Sequence, residues 1–193
     1  WNSAVDEMTY IDMFSARIKS QKPSFNAGFI IDTARNGWGA PGRVTKSATR
    51  GTDLSKRVDK RAHRGHWCNV NNAGVGESPR ANPDATRAHL DAFFWMKPPG
   101  EADGISFDVK NYPKGSTAYN ALDAIDKEIV DSASDPKYAG KTIDTMCTPG
   151  GIRDGKKEVD VVPALSPHAG GWFHKQFLML IKNAYPALGT TEY

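Results

Sequence analysis

The run Leu90-Asp-Ala-Phe-Phe-Trp-Met-Lys-Pro-Pro-Gly-Glu-Ala-Asp-Gly104 constrains this chain more than any other. Residues 92–96 are almost wholly apolar, the pattern of a parallel strand buried on both faces. Pro98, Pro99 and Gly100 then stop the strand, because proline offers no N–H to continue a ladder. Lys97, Glu101 and Asp103 are thereby gathered into one loop at the carboxyl end of a buried strand. That is where α/β and barrel enzymes carry their chemistry. A charged surface loop is the plain alternative.

Upstream, Val5, Met8, Ile11, Phe14 and Ile18 recur every three or four residues and predict an amphipathic first helix. Ser3 and Asp6 are spaced for a capping arrangement, and Gln21-Lys-Pro23 ends the helix. Residues 25–31 predict a second buried strand, which delivers a polar cluster, Asp32 to Arg35, at its own carboxyl end. Residues 52–63 predict a loop with one short helical piece, and residues 69–83, rich in Asn, Gly and Pro, predict coil. Residues 104–167 are long and polar with few apolar anchors, and residues 118–132 can hold a helix. Trp172, Phe173, Phe177, Leu180, Ile181 and Ala184 predict a final amphipathic helix closed by Pro186. This order of elements is β/α in type.

A chain of 193 residues suffices for one domain with a core. It is short for a closed eight-stranded barrel, which takes about 250 residues. The sequence begins at Trp1, with neither initiator Met nor signal peptide, and reads as a mature or cut product. No apolar run approaches the roughly 20 residues of a membrane span, so no membrane partner is expected. Net charge is +3, too slight to argue for nucleic acid. The basic run at residues 56–64 is diluted by Asp59 and lacks interleaved aromatics, so it reads as a solvated face. Cys68 and Cys147 are an even pair without Cys-x-x-Cys spacing, which argues against a structural zinc. A disulfide in a secreted protein is the better reading, and two buried thiols the alternative. The five His residues show no ligand spacing, and neither metal nor cofactor is expected.

Four blocks, in register, carry a family resemblance. They are Lys97-Pro-Pro-Gly-Glu-Ala-Asp-Gly104; Asp32-Thr-Ala-Arg-Asn-Gly-Trp-Gly39; His66-Trp-Cys-Asn69 followed by Gly74-Val-Gly-Glu77; and Gly171-Trp-Phe-His-Lys-Gln-Phe177 with Asn183-Ala-Tyr-Pro186. Together they resemble glycoside hydrolase family 6, the cellobiohydrolases and endoglucanases that cut β-1,4-glucan with inversion, and most of all its bacterial exo-acting branch. The resemblance implies an α/β fold: the C-terminal part of a distorted seven-stranded β/α barrel similar to the TIM barrel. Residues 1–193 are then the C-terminal portion of a single catalytic domain whose N-terminal portion lies outside this chain.

The same resemblance implies roles. Asp103 matches the family's proposed catalytic base, acting directly or through a water relay. Arg35 and Lys97 match the cations that pair with that carboxylate; two positive charges would hold it ionised and also weaken it as a base. Glu101 and Lys97 match residues that hydrogen-bond glucose hydroxyls, and Trp67 matches an aromatic sugar platform. Trp95, inside the predicted strand, reads as core, and Trp38 reads equally as loop packing or sugar contact. Cys68 and Cys147 match cysteines that are bonded to each other, anchoring both ends of the 104–147 insertion, which is expected to roof a cleft.

An inverting glycosidase also needs a carboxylic acid to protonate the leaving oxygen. The family's acid is an aspartate upstream of every block found here, and nothing before Asp32 resembles it. The expected partners are therefore cellulose or cello-oligosaccharides and the N-terminal part of the same domain, outside the cell. The chain alone is expected to be neither an independent folding unit nor a catalyst. A non-catalytic glucan-binding protein that keeps the subsites without the acid is the alternative.

Overall fold

A computed structural model describes residues 4, 6–37, 68, 69, 71, 73–143, 147, 152, 153, 156, 157 and 165–189. The expectations for Ser3, Val5, Trp38, residues 52–63, the basic run and Trp67 lie outside the described residues. The chain divides into two compact units, one made of Trp1–Lys60, Asn72–Pro99 and Leu180–Tyr193, the other of Arg61–Asn71 and Gly100–Met179.

The first unit opens with α1, Glu7–Gln21. Asp6 is its N-cap: the carboxylate accepts from the Thr9 N–H at 2.7 Å and sits at the positive end of the helix. The inward stripe is narrower than the sequence predicts. Ile11 is buried, whereas Phe14 stays at the surface, stacked on Tyr10 and edge-on to Phe29.

Behind α1 lies a three-stranded sheet in the order β1-β3-β2. β1 is Phe29–Asp32, β2 is Arg80–Ala81 and β3 is Leu90–Phe94. β1 and β3 run parallel, with Ile31 beside Phe93 and Asp32 beside Phe94; β2 pairs antiparallel on the other edge of β3. β2 lies within the stretch expected to be coil. Both parallel strands fall a few residues from their predicted positions. Beyond β3, the Met96 N–H and Lys97 N–H donate to the Asp32 carboxylate, not to a neighbouring strand.

Burial on both faces does not hold. Ile31, Leu90 and Phe93 close on Ile11 of α1, each apolar side chain of this size contributing about 1.5–3 kcal/mol on burial. On the opposite face Ile30 and Phe94 are 57% and 51% exposed. Successive strand residues point to opposite faces, and α1 covers only one. The turn leading into β3 is fastened to α1 by charge. Arg87 bonds Asp12 (Nε to Oδ2, 3.0 Å) and Asp84, and His89 meets Asp12 at 2.9 Å.

The second unit has a core of its own: Ala102, Ile105, Phe107, Tyr119, Ile129, Val130, Ala133 and Phe173. The 104–143 stretch is thus well anchored, contrary to its polar appearance in sequence. The single helix expected at 118–132 is two: α2, Thr117–Asn120, capped by Ser116, and α3, Ala124–Ala133, capped by Asp123. Asp123 divides them by accepting from the Asp126 N–H at 2.8 Å. α4, His174–Lys182, follows the fully buried Phe173. Lys175 ties it to α3 through Asp123 at 2.8 Å and Asp126 at 2.6 Å. A small antiparallel hairpin joins β4, Ile152–Arg153, to β5, Lys156–Lys157.

Cys68 and Cys147, both buried, form a disulfide across a sequence separation of 79 residues. In the loop-entropy model a closure of that length removes about 4 kcal/mol from the unfolded state. The architecture is mixed α/β with a parallel pair inside its sheet.

Candidate active site

Two loops carry the polar clusters that the sequence singles out, one in each unit. In the first, Asp32 acts as a clamp at the strand ends. Its Oδ1 accepts from the Ala34 N–H at 3.0 Å and the Met96 N–H at 3.3 Å, and its Oδ2 from the Lys97 N–H at 3.0 Å. One carboxylate thus fixes the backbone on both sides of the cluster that bears Arg35 and Lys97. Arg35 Nη2 adds a bond to the Pro98 carbonyl at 3.3 Å.

The Gly74-Val-Gly-Glu77 block braces the same strand ends. Gly37 and Gly74 exchange backbone bonds at 3.0 and 2.7 Å, and Gly76 N–H donates to the Thr33 carbonyl at 2.8 Å. The Glu77 carbonyl accepts from the Thr33 hydroxyl at 2.6 Å and from the Trp95 indole at 2.9 Å. Trp95 therefore lies past the strand as a half-buried anchor and not within it. A Cβ at Gly74 would collide with the Asn183 carbonyl, and one at Gly37 with the Val75 carbonyl, so neither position admits a side chain.

In the second unit, residues 100–103 form one side of a short antiparallel pairing with residues 170–173. Phe173 N–H donates to the Gly100 carbonyl at 2.6 Å, Ala102 N–H to the Gly171 carbonyl at 2.8 Å, and Gly170 N–H to the Ala102 carbonyl at 3.0 Å. Ala102 is 0% exposed, while Glu101 and Asp103 on either side keep part of their surface in solvent. Two carboxylates on a pinned backbone can accept hydrogen bonds from hydroxyl groups or take a proton from water. On the far edge of this segment stands the buried Asn69: its Oδ1 accepts from the Asp103 N–H at 2.9 Å and its Nδ2 donates to the Glu101 carbonyl at 3.1 Å.

The sequence profile of Glycosyl hydrolases family 6 matches residues 1–126, through the whole of the 97–104 motif. This chain belongs to that family.

Within family 6, it is 39% identical to Exoglucanase A of Cellulomonas fimi, over 99% of this chain and 20% of that protein. It is 32% identical to a probable 1,4-beta-D-glucan cellobiohydrolase C of Aspergillus niger, over 96% of this chain and 27% of that one. Among solved structures, the catalytic domain of Cellulomonas fimi Cel6B superposes with a TM-score of 0.64 at 36% identity, over 97% of this chain and 38% of that one. Cellobiohydrolase Cel6A of Humicola insolens, in complex with methyl-tetrathio-alpha-d-cellopentoside, gives 0.52 at 26% identity, over 95% of this chain and 33% of the other. The chain spans well under half the length of these relatives.

Set against the family motifs, Arg35 and Lys97 stand in the first unit, and Glu101, Asp103 and the Cys68–Cys147 disulfide in the second. Trp67 lies outside the described residues. Sequence reasoning gave no role to Asp32 or Asn69. Each had a signal: Asp32 is the last residue of a buried strand, and Asn69 directly follows a half-cystine inside a motif block.

Proposed function

We propose that this chain carries the water-activating half of an inverting β-1,4-glucan hydrolase, exo-acting and releasing cellobiose from cellulose outside the cell. Asp103 is the catalytic carboxylate, taking a proton from water directly or through a relay. Glu101 and Lys97 hydrogen-bond glucose hydroxyls, Trp67 is the sugar platform, and Arg35 and Lys97 are the cations that support the carboxylate. The general acid comes from a segment outside residues 1–193, which also completes a distorted seven-stranded β/α barrel. In an inverting reaction the two carboxyl groups stand roughly 6.5–9.5 Å apart, with water between them.

The observation that supports this reading most is the seating of residues 101–103. A segment pinned by backbone bonds on one edge and by a buried amide on the other holds two part-exposed carboxylates, inside a matched family motif. The exposed apolar face of the sheet fits a barrel continued by further strands.

The test is Asp103→Ala in the intact enzyme, with cellobiose release from amorphous cellulose and the anomer of the first product followed by NMR. Wild type should release the α-anomer. The variant should lose turnover by about a thousandfold or more, with cello-oligosaccharide affinity largely kept, as for a group that acts in the transition state. Near wild-type turnover in the variant would remove Asp103 from the mechanism and favour a glucan-binding role.

A further inference from the structure

The Asn69 side chain takes the place of a β-strand. In an extended segment, neighbouring residues direct their N–H and C=O groups to opposite edges. Here Ala102 directs both of its groups to Gly170 and Gly171, and Gly100 directs its carbonyl the same way, to Phe173. The Glu101 carbonyl and the Asp103 N–H go to the other edge, where Asn69 receives both. A carboxamide carries an acceptor and a donor side by side, which matches an N–H and a C=O separated by one residue. The two partners are of opposite kind, so they also fix which end of the amide is oxygen and which nitrogen.

The strut is itself held. Asn69 is 5% exposed and follows Cys68, whose disulfide to Cys147 ties that point of the chain down. Its two bonds fasten the peptide groups on both sides of Ala102, and so set the direction in which the Asp103 side chain leaves the backbone.

We infer that Asn69 is a positioning residue for Asp103, through which the disulfide-bonded segment sets the geometry of the catalytic carboxylate. This rests on the reading of Asp103 as that carboxylate. Misplacing a catalytic group by about 1 Å costs on the order of a hundredfold in rate, and the strut's loss falls on turnover before it falls on sugar binding.

The experiment uses the intact enzyme and three variants: Asn69→Ala, Asn69→Asp and Asp103→Ala. Folding is checked by near-ultraviolet circular dichroism, and kcat, KM and the pH dependence of kcat/KM are measured on a soluble cello-oligosaccharide. Asn69→Ala should lower kcat by roughly ten- to a hundredfold with KM within about threefold of wild type. Asn69→Asp keeps the size and the acceptor, loses the donor to Glu101, and adds a negative charge beside Asp103. A like charge disfavours the ionised form, so the acid limb of the kcat/KM profile should move up by about one pH unit. In a folded variant, loss of a merely structural asparagine would leave kcat near wild type. Folded Asn69 variants with wild-type kcat and an unmoved limb, beside an inactive Asp103→Ala, would overturn the inference and leave the proposed function standing. An active Asp103→Ala would instead overturn the proposed function. If Asn69→Ala does not fold, Asn69→Asp decides alone; if neither folds, Asn69 is a folding residue and the inference fails.

Discussion

In the unit that holds Asp103, apolar residues from a continuous stretch close on one another: Ile105, Phe107, Tyr119, Ile129 and Val130 meet Phe173 just ahead of α4. The unit that holds Asp32 is built differently. Its sheet pairs strands about sixty residues apart, covers Ile31 and Phe93 with α1, and leaves Ile30, Phe94 and Met96 at the surface. The difference follows from topology. A helical stretch can supply most of a core from neighbours in sequence, here with Phe173 added from further along, whereas a parallel pair has two faces to cover. The carboxylate loop is therefore fixed by residues of its own unit, whereas one face of the sheet stays open.

The largest effect that separates the two units is expected at Phe173. Phe173→Ala should cost about 3–5 kcal/mol and strip amide-exchange protection from α3, while β1 and β3 keep theirs. Loss of protection in both units at once would show one cooperative body and break the contrast.

Acid should separate them next. His168 is buried and stacked on Tyr138 at 4.0 Å, and desolvation holds its pKa below the ordinary 6.5, helped by nearby Lys141 and opposed by its bond to the Ala133 carbonyl. The folded state then takes up this proton less readily than the unfolded one. Its contribution to stability is complete above pH 6.5 and is lost as pH falls below it. In the first unit, Asp84 is held at about 2 by its bonds to the Thr86 side chain and N–H and to Arg87. Its contribution is complete above the usual carboxylate range and is lost only as pH falls toward 2. The second unit should thus begin to lose exchange protection as pH falls below 6.5, and the Asp84–Arg87 turn not until below about pH 4. A common onset would contradict this.

The smallest effect sharpens the two faces of β3. In the intact enzyme, Phe93→Ala on the covered face should cost about 3–5 kcal/mol. Phe94→Ser, one residue away, should raise the solubility of residues 1–193 expressed alone and leave that of the intact enzyme unchanged. An equal gain in both would mean that the Phe94 face is open in the intact enzyme as well.

The sequence made the parallel strands visible because their apolar runs are short and end in prolines or a polar cluster, and the carboxylate loop visible because its motif is dense. It hid the anchoring of residues 104–143, since Ile105, Phe107, Tyr119, Ile129 and Val130 are too widely spaced to form one periodic stripe. For the same reason this segment is no detachable roof: shortening it would remove most of the core beside Asp103. The sequence also hid Asp32 and Asn69 as struts, because a side chain that substitutes for a strand leaves no periodic trace. The alternation Ile30/Ile31 and Phe93/Phe94 shows why one face is open. An unbroken apolar run says that both faces can be buried, not that both are.

The proposed function assigns to these residues the base of a catalytic pair and not its acid. The most direct measurement is cellobiose release from amorphous cellulose by residues 1–193 expressed alone, beside the intact enzyme at equal molarity. Release is expected from the intact enzyme, and none above background from residues 1–193. Measurable hydrolysis by residues 1–193, abolished by Asp103→Ala, would contradict it, since the acid would then have to lie within this chain.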